Sequence, residues 1–218
     1  MSDKYPRTYH LPYSPGATND DKIAPNVDFL LNTPLVITEK CDGSNLCMDK
    51  NNIFARTHSG PPKHASFNMA KSIHASIKHE LIDGLDYFGE YCYAKHSIEY
   101  TELPGYFLLF GIRTYIDGNG WWKSWQSVKS FAKSLNIPTV PELEKLTVSS
   151  EKELQKVIEK HMNEPSVCGG EREGVVVRRV EAFSVREFSK ATLKNVRKNH
   201  VQTSEHWMNQ EITPNKLK

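Results

Sequence analysis

The sequence predicts an α+β fold. Short runs rich in β-branched and aromatic residues, such as "PLVITEK" (34–40) and "EGVVVRRV" (173–180), lie toward both ends of the chain. Between them sit segments with apolar residues at helical spacing, and the two patterns do not alternate in the regular strand-helix-strand order of a parallel sheet. With 218 residues, 38% of them hydrophobic, the chain supports one sizeable core, so a single domain over 1–218 is expected.

The elements follow in order. The first 30 residues read as loop, because Pro6, Pro12, Pro15, Gly16 and Pro25 interrupt any periodicity. "PLVITEK" is a strand, and after an Asp-Gly turn "NLCMD" (45–49) is a second. "SFNMAKSIHASIKHELID" places Phe67, Ala70, Ile73, Ile77 and Leu81 on one helical face, which predicts a helix from Ser66 to Asp83 with Ser66 as its cap. "YFGEYCY" (87–93) and "GYFLLFGIR" (105–113) read as strands. "SWQSVKSFAKSLN" (124–136) and "SSEKELQKVIEKHMN" (149–163) are amphipathic helices, and the valine run of "EGVVVRRV" is a buried strand.

Composition excludes several classes. No apolar run approaches the ~18 residues of a membrane helix, and the polar amino terminus is no secretory signal, so a soluble, cytoplasmic protein is expected. Cys41, Cys47, Cys92 and Cys168 form no C-x-x-C pair, which points to reduced thiols. His10, His58, His200 and His206 are too scattered for a zinc site. The tryptophans of "GNGWWKSWQ" are assigned to the core. Net charge is only +2, yet Arg172 to Lys198 carries a local excess of five positive charges, as a phosphate-bearing partner would favour.

Lys40 stands at a strand end before the turn "CDGSN". Alone, K-x-D-G fits a surface lysine equally well. Further stretches supply Arg56 in "FARTHSG", Glu90 in "GEYCY", Phe110 in "LLFGIR", Glu173 in "REGVVVRR", and Lys194 with Arg197 in "TLKNVRKNHVQ". In this order the set resembles the covalent nucleotidyltransferase superfamily of ATP-dependent ligases and capping enzymes, and within it RNA ligases of the RNA ligase 2 type. Asn45, where DNA ligases and capping enzymes usually carry arginine, adds to the resemblance, as do "RTYHLPYSPGATNDD" (7–21) and "VRKNHVQTSEHWM" (196–208).

The resemblance implies an adenylation domain with antiparallel sheets flanking an ATP cleft and no added oligonucleotide-binding domain. It implies ATP and Mg2+ (or Mn2+) as cofactors and RNA ends, nicked or held in a duplex, as the nucleic-acid partner, with no membrane. Lys40 would be the nucleophile. Glu39 would lie at the adenine edge, Phe110 would stack on the ring, and Glu90 would accept from the ribose. Glu173 would organise the metal with help from Asp42, and Arg56 and Lys194 would contact phosphate. Attack by Lys40 needs a neutral amine, roughly 4 kcal/mol from the ordinary ammonium at neutral pH; Lys194, Arg197 and the metal are the expected causes of a lowered pKa. A minimal DNA ligase, a capping-type guanylyltransferase and a noncatalytic nucleic-acid-binding relative stay open as alternatives.

Overall fold

A computed structural model describes residues 3–198 and 212–218. In chain order its elements are β1 (Tyr9–His10), β2 (Leu35–Lys40), β3 (Ser44–Met48), β4 (Ile53–Ala55), α1 (Asn68–Ile77), β5 (Leu85–Tyr91), β6 (Phe107–Ile116), β7 (Asn119–Trp122), α2 (Trp125–Ser134), β8 (Glu142–Leu146), α3 (Glu151–Met162), β9 (Gly174–Arg179), β10 (Phe183–Ser184), α4 (Phe188–Ala191) and β11 (Thr192–Val196). They build two sheets, one ordered β1-β11-β9-β2-β8 and the other β10-β7-β6-β5-β3-β4, antiparallel throughout except for the parallel pair β1 and β11. The α+β expectation holds.

The period of two in a strand sorts β2 between two environments. Leu35 and Ile37 pack with Val175, Val177 and Leu193 against Leu154 and Ile158 of α3. Val36 faces the other way, into the larger core between the sheets, and Thr38 and Lys40 line the cleft on that side. β9 and β11 repeat the alternation, so Val176, Arg178, Thr192 and Lys194 join the cleft face. In register, Thr38 pairs with Val176 and Val176 with Lys194, which sets three central strands side by side under one opening.

Predicted and observed elements differ in places. The helix expected over Ser66–Asp83 is a 3-10 turn (Ala65–Phe67) followed by α1, ending at Ile77. Ser66 caps neither; the His64 side chain accepts from the Ser66 N–H at the 3-10 turn. Short strands β4, β7, β8 and β10 escaped the sequence reading because two to five residues carry too little periodicity to stand out. Trp122 and Trp125 are core residues as expected, whereas Trp121 is exposed. All four cysteines are free and buried. No helix among the described residues is long and apolar enough to cross a membrane.

Candidate active site

A cleft of about 420 Å³ opens between the two sheets. Thr38, Lys40, Arg178 and Lys194 line it from one sheet, and Asn45, Glu90, Phe110 and Trp122 from the other. Arg56 reaches it from the exposed segment after β4, and Asp21 and the stretch Tyr5–Thr8 reach it from the amino-terminal loop. Of the nine residues given site roles in the sequence, seven line this one cleft; Asp42 and Glu173 do not, Glu173 meeting it through its pairing with Lys40.

Lys40 ends β2, opposite Gly174 of β9, so Glu173 arrives beside it. Its Nζ donates to both Glu173 oxygens at 2.8 Å. A side chain at Gly174 would collide with the Asn195 carbonyl, so glycine lets β11 pack close on the other side of β9 at this point. Glycine is also required at Gly43, where a Cβ would come within 2.6 Å of the Tyr91 carbonyl oxygen. That approach brings the Gly43 N–H to 3.2 Å from Glu90 Oε1.

The electrostatics run against one expectation. Burial disfavours the Lys40 ammonium, yet Glu173, Glu90 and Asp42 together hold its pKa well above the ordinary lysine value. Lys40 is therefore a firmly charged, paired lysine, not one already tuned toward neutrality. Arg197 contributes nothing nearby: it pairs with Glu171 at 2.6 Å and lines a separate hollow with Tyr13 and α3. Lys194 is shifted downward, first by burial and then by Lys40, against the pull of Asp21 and Glu173. Burial pushes Glu90 up to about 7, with Lys40 opposing.

Two expected contacts are taken by other partners. The Glu39 side chain leaves β2 on the side away from the cleft, where it accepts from the Ser166 hydroxyl and from the Val167 N–H at 3.0 Å, with Arg172 at 3.5 Å. It pins the loop before β9, and only the backbone of residue 39 faces the cleft. Asp42 Oδ2 accepts from Ser97 N–H at 2.7 Å and Ile98 N–H at 3.0 Å, ordering the loop after β5. The basic stretch before and along β9 is likewise partly internal, since Arg172 and Arg178 are each 5% exposed.

Phe110 is half-buried on the cleft wall, edge-on to Tyr5 with centroids 5.0 Å apart. Behind it Arg178 donates to the Phe110 carbonyl at 3.1 Å and the Lys123 carbonyl at 2.8 Å, tying β9 to the opposite sheet. Its guanidinium also lies over Trp125 and Phe183. Arg178, Tyr5 and Asp21 were missed in the sequence. For Asp21 the signal was present in "TNDD", but nothing local says which carboxylate turns inward.

The residues suit a nucleotide and a hard divalent ion in different degrees. Asn45 Oδ1 is buried at the cleft without a hydrogen-bond partner, as an acceptor awaiting a ligand donor would be. Cations, an aromatic wall and buried carboxylates are the donor set a nucleoside polyphosphate needs. Among the described residues no cluster of three or more His, Cys, Asp or Glu side chains forms a metal cage. One or two carboxylates beside substrate phosphates are the usual protein share of a magnesium site, and Glu173 meets that need. His200 and His206, and much of the stretch 196–208 that contributed to the resemblance, lie outside the described residues.

Two antiparallel sheets flanking this cleft define a nucleotidyltransferase-type fold. The family model for RNA ligase matches residues 33–196, and the chain belongs to the RNA ligase family. Similar solved structures include an apo mutant of the Naegleria gruberi RNA ligase, with a TM-score of 0.57 and 18% identity over 91% of this chain and 58% of that one. A mutant of the same ligase with ATP and Mn gives a TM-score of 0.57 and 17% identity over 93% of this chain and 62% of that one. A further mutant with AMP and Mn gives 0.55 and 17% over 90% and 61%. At these identities the likeness is one of fold, and the chain spans about 60% of the length of those ligases. No curated protein matches the chain.

Proposed function

We propose that the protein is an ATP-dependent RNA ligase that adenylylates itself on Lys40, passes AMP to a 5′-phosphate, and seals that end to a 3′-hydroxyl. The observation that carries this reading is the Lys40–Glu173 pair in a cleft that also holds Asn45, Arg56, Glu90, Phe110 and Lys194. The family and the ATP- and Mn-bound state of the similar ligases support the choice of nucleotide and ion.

In the resting protein Glu173 aims Nζ into the cleft while keeping it protonated and inert. Glu173, with Asp42 behind it, and the nucleotide phosphates would hold a divalent ion, which would supply positive charge beside the carboxylate that now pairs with Lys40. With Glu173 so engaged, the partly buried Lys40 would release its proton to solvent. Its nitrogen then attacks the α-phosphorus, the Nζ–P bond forms, and the bond to the bridging oxygen breaks as pyrophosphate leaves. Lys194 and Arg56 neutralise charge on the phosphates. Phe110 stacks on the base, the backbone of Glu39 lies at its edge, Glu90 accepts from the ribose, and Asn45 receives a donor at its open oxygen. In the second step a 5′-phosphate oxygen attacks the same phosphorus and the Nζ–P bond breaks. In the third, the 3′-hydroxyl attacks the 5′-phosphorus and AMP leaves. RNA is the proposed acceptor, nicked or duplex-held.

The test is incubation with ATP and magnesium, with GTP in parallel, followed by peptide mass spectrometry. An AMP adduct on Lys40 from ATP is expected; a GMP adduct alone would make the protein a guanylyltransferase instead.

A further inference from the structure

The loop "HLPYSPGATNDD" (10–21) has no role in the reaction just described, yet it enters the cleft through Asp21. His10 and Lys194 are register partners across the parallel pair β1 and β11, so both side chains leave the sheet on the same side. Asp21 lies between them, with Oδ1 3.3 Å from His10 Nε2 and 3.6 Å from Lys194 Nζ. Its other oxygen accepts from Thr18 N–H at 3.1 Å and from the Thr18 hydroxyl at 2.9 Å. His10 is 1% exposed and its Nδ1 lies 2.8 Å from Ser14 Oγ, which in turn accepts from Val196 N–H at 3.0 Å. The loop is thus fastened twice to the strand that carries Lys194.

We propose that Asp21 is a positioning residue for Lys194: it holds the ammonium charged and aimed into the cleft, and His10 and Thr18 hold Asp21 in place for that task. The consequence for phosphate contact rests on the self-adenylylation reading; the pairing itself does not. The cations sharing the cleft with Lys194 are Lys40, Arg7, Arg56 and Arg178, and the carboxylates are Asp21 and Glu90, with Glu173 acting on it from beside Lys40. Glu173 gives both oxygens to Lys40, which leaves Asp21 as the close partner of Lys194. Partial burial and the nearby Lys40 both favour loss of the Lys194 proton. A neutral Lys194 would be a poor phosphate contact. Asp21 itself stays ionised: burial opposes this, but the Thr18 hydrogen bonds, Lys194 and His10 bring its pKa down to about 2.

Asp21→Asn removes the charge and keeps an oxygen for Thr18, so it separates pairing from loop structure, and Asp21→Glu is the rescue variant. Two readouts apply to both variants and the parent: acylation of Lys194 by acetic anhydride across pH, followed by peptide mass spectrometry, and single-turnover self-adenylylation with ATP and magnesium. In Asp21→Asn, Lys194 should acylate about tenfold faster near pH ~8, as expected when an opposite charge worth about one pKa unit is lost. Adenylylation should slow with a raised KM for ATP, and Asp21→Glu should restore both. An unchanged acylation profile in a folded Asp21→Asn protein overturns the proposal whatever the activity. If that variant melts early, Thr18→Val, which leaves the charge but loses one of its hydrogen bonds, should move both readouts in the same direction by less, and no movement overturns the proposal. A parent protein that takes up no AMP while Lys194 still responds to Asp21 overturns the adenylylation reading and upholds the pairing.

Discussion

Lys40 Nζ lies 2.8 Å from both carboxylate oxygens of Glu173, a residue 133 positions further along the chain. The pair exists because β2 and β9 run antiparallel with Lys40 opposite Gly174, so a strand register sets the chemistry. Glu173→Gln should leave Lys40 without its counter-charge. Amine-directed acylation of Lys40 should then rise, while self-adenylylation falls by ~10²-fold, the cost of one strong electrostatic contact in a transition state. Acylation that stays flat would show that Glu173 does not hold the proton on Lys40.

Glu90 links pH to stability. Its pKa is raised to about 7 by burial, so the folded protein binds that proton more tightly than the unfolded chain, whose carboxyl titrates near its ordinary value of 4.5. The stability contribution is complete below pH ~4.5 and is lost as pH rises through about 7. Glu90→Gln keeps an acceptor for the Gly43 N–H and carries no charge. Its melting temperature should gain on that of the parent between pH ~5 and ~7 and then run parallel; a constant difference across that range would contradict the raised pKa.

Arg178 ties the sheets together by donating to the carbonyls of Phe110 and Lys123. Arg178→Met fills similar volume but leaves two partly buried carbonyls without this donor, so unfolding in urea should lose roughly 1–3 kcal/mol, about one such penalty. Because one of those carbonyls belongs to Phe110, the affinity for ATP should fall as well. A variant of parental stability would mean that water replaces the guanidinium.

The sequence carried the sheet-forming segments, both long amphipathic helices and most of the cleft, because each rests on a local pattern or a short motif. It could not show side-chain direction. Glu39 and Lys40 are adjacent, yet alternation sends one carboxylate beneath the sheet to Ser166 and one ammonium into the cleft. Nor could it show that Asp42 would be occupied by the amides of Ser97 and Ile98, or that Arg172 and Arg178 would be buried within what looked like a solvated basic run. The carboxylate paired with Lys40 escaped for the same reason: the motif supplies the lysine, and only the strand register supplies Glu173 beside it.

Asn45 offers a buried, open acceptor oxygen at the cleft, where an arginine could only donate. With the RNA ligase family, this residue favours RNA: sealing of a nicked duplex should be faster when the 3′-hydroxyl strand ends in ribose than in deoxyribose, the 2′-hydroxyl being the group that distinguishes them. Equal or faster sealing of an all-DNA nick would make the protein a minimal DNA ligase.

The most direct measurement is mass spectrometry of the protein after incubation with ATP and magnesium, alongside Lys40→Ala. One AMP on the Lys40 peptide of the parent and none on Lys40→Ala, with pre-adenylylated RNA still sealed by the variant, is the result predicted. AMP attached to the Lys40→Ala protein in comparable yield would contradict the assignment of the nucleophile.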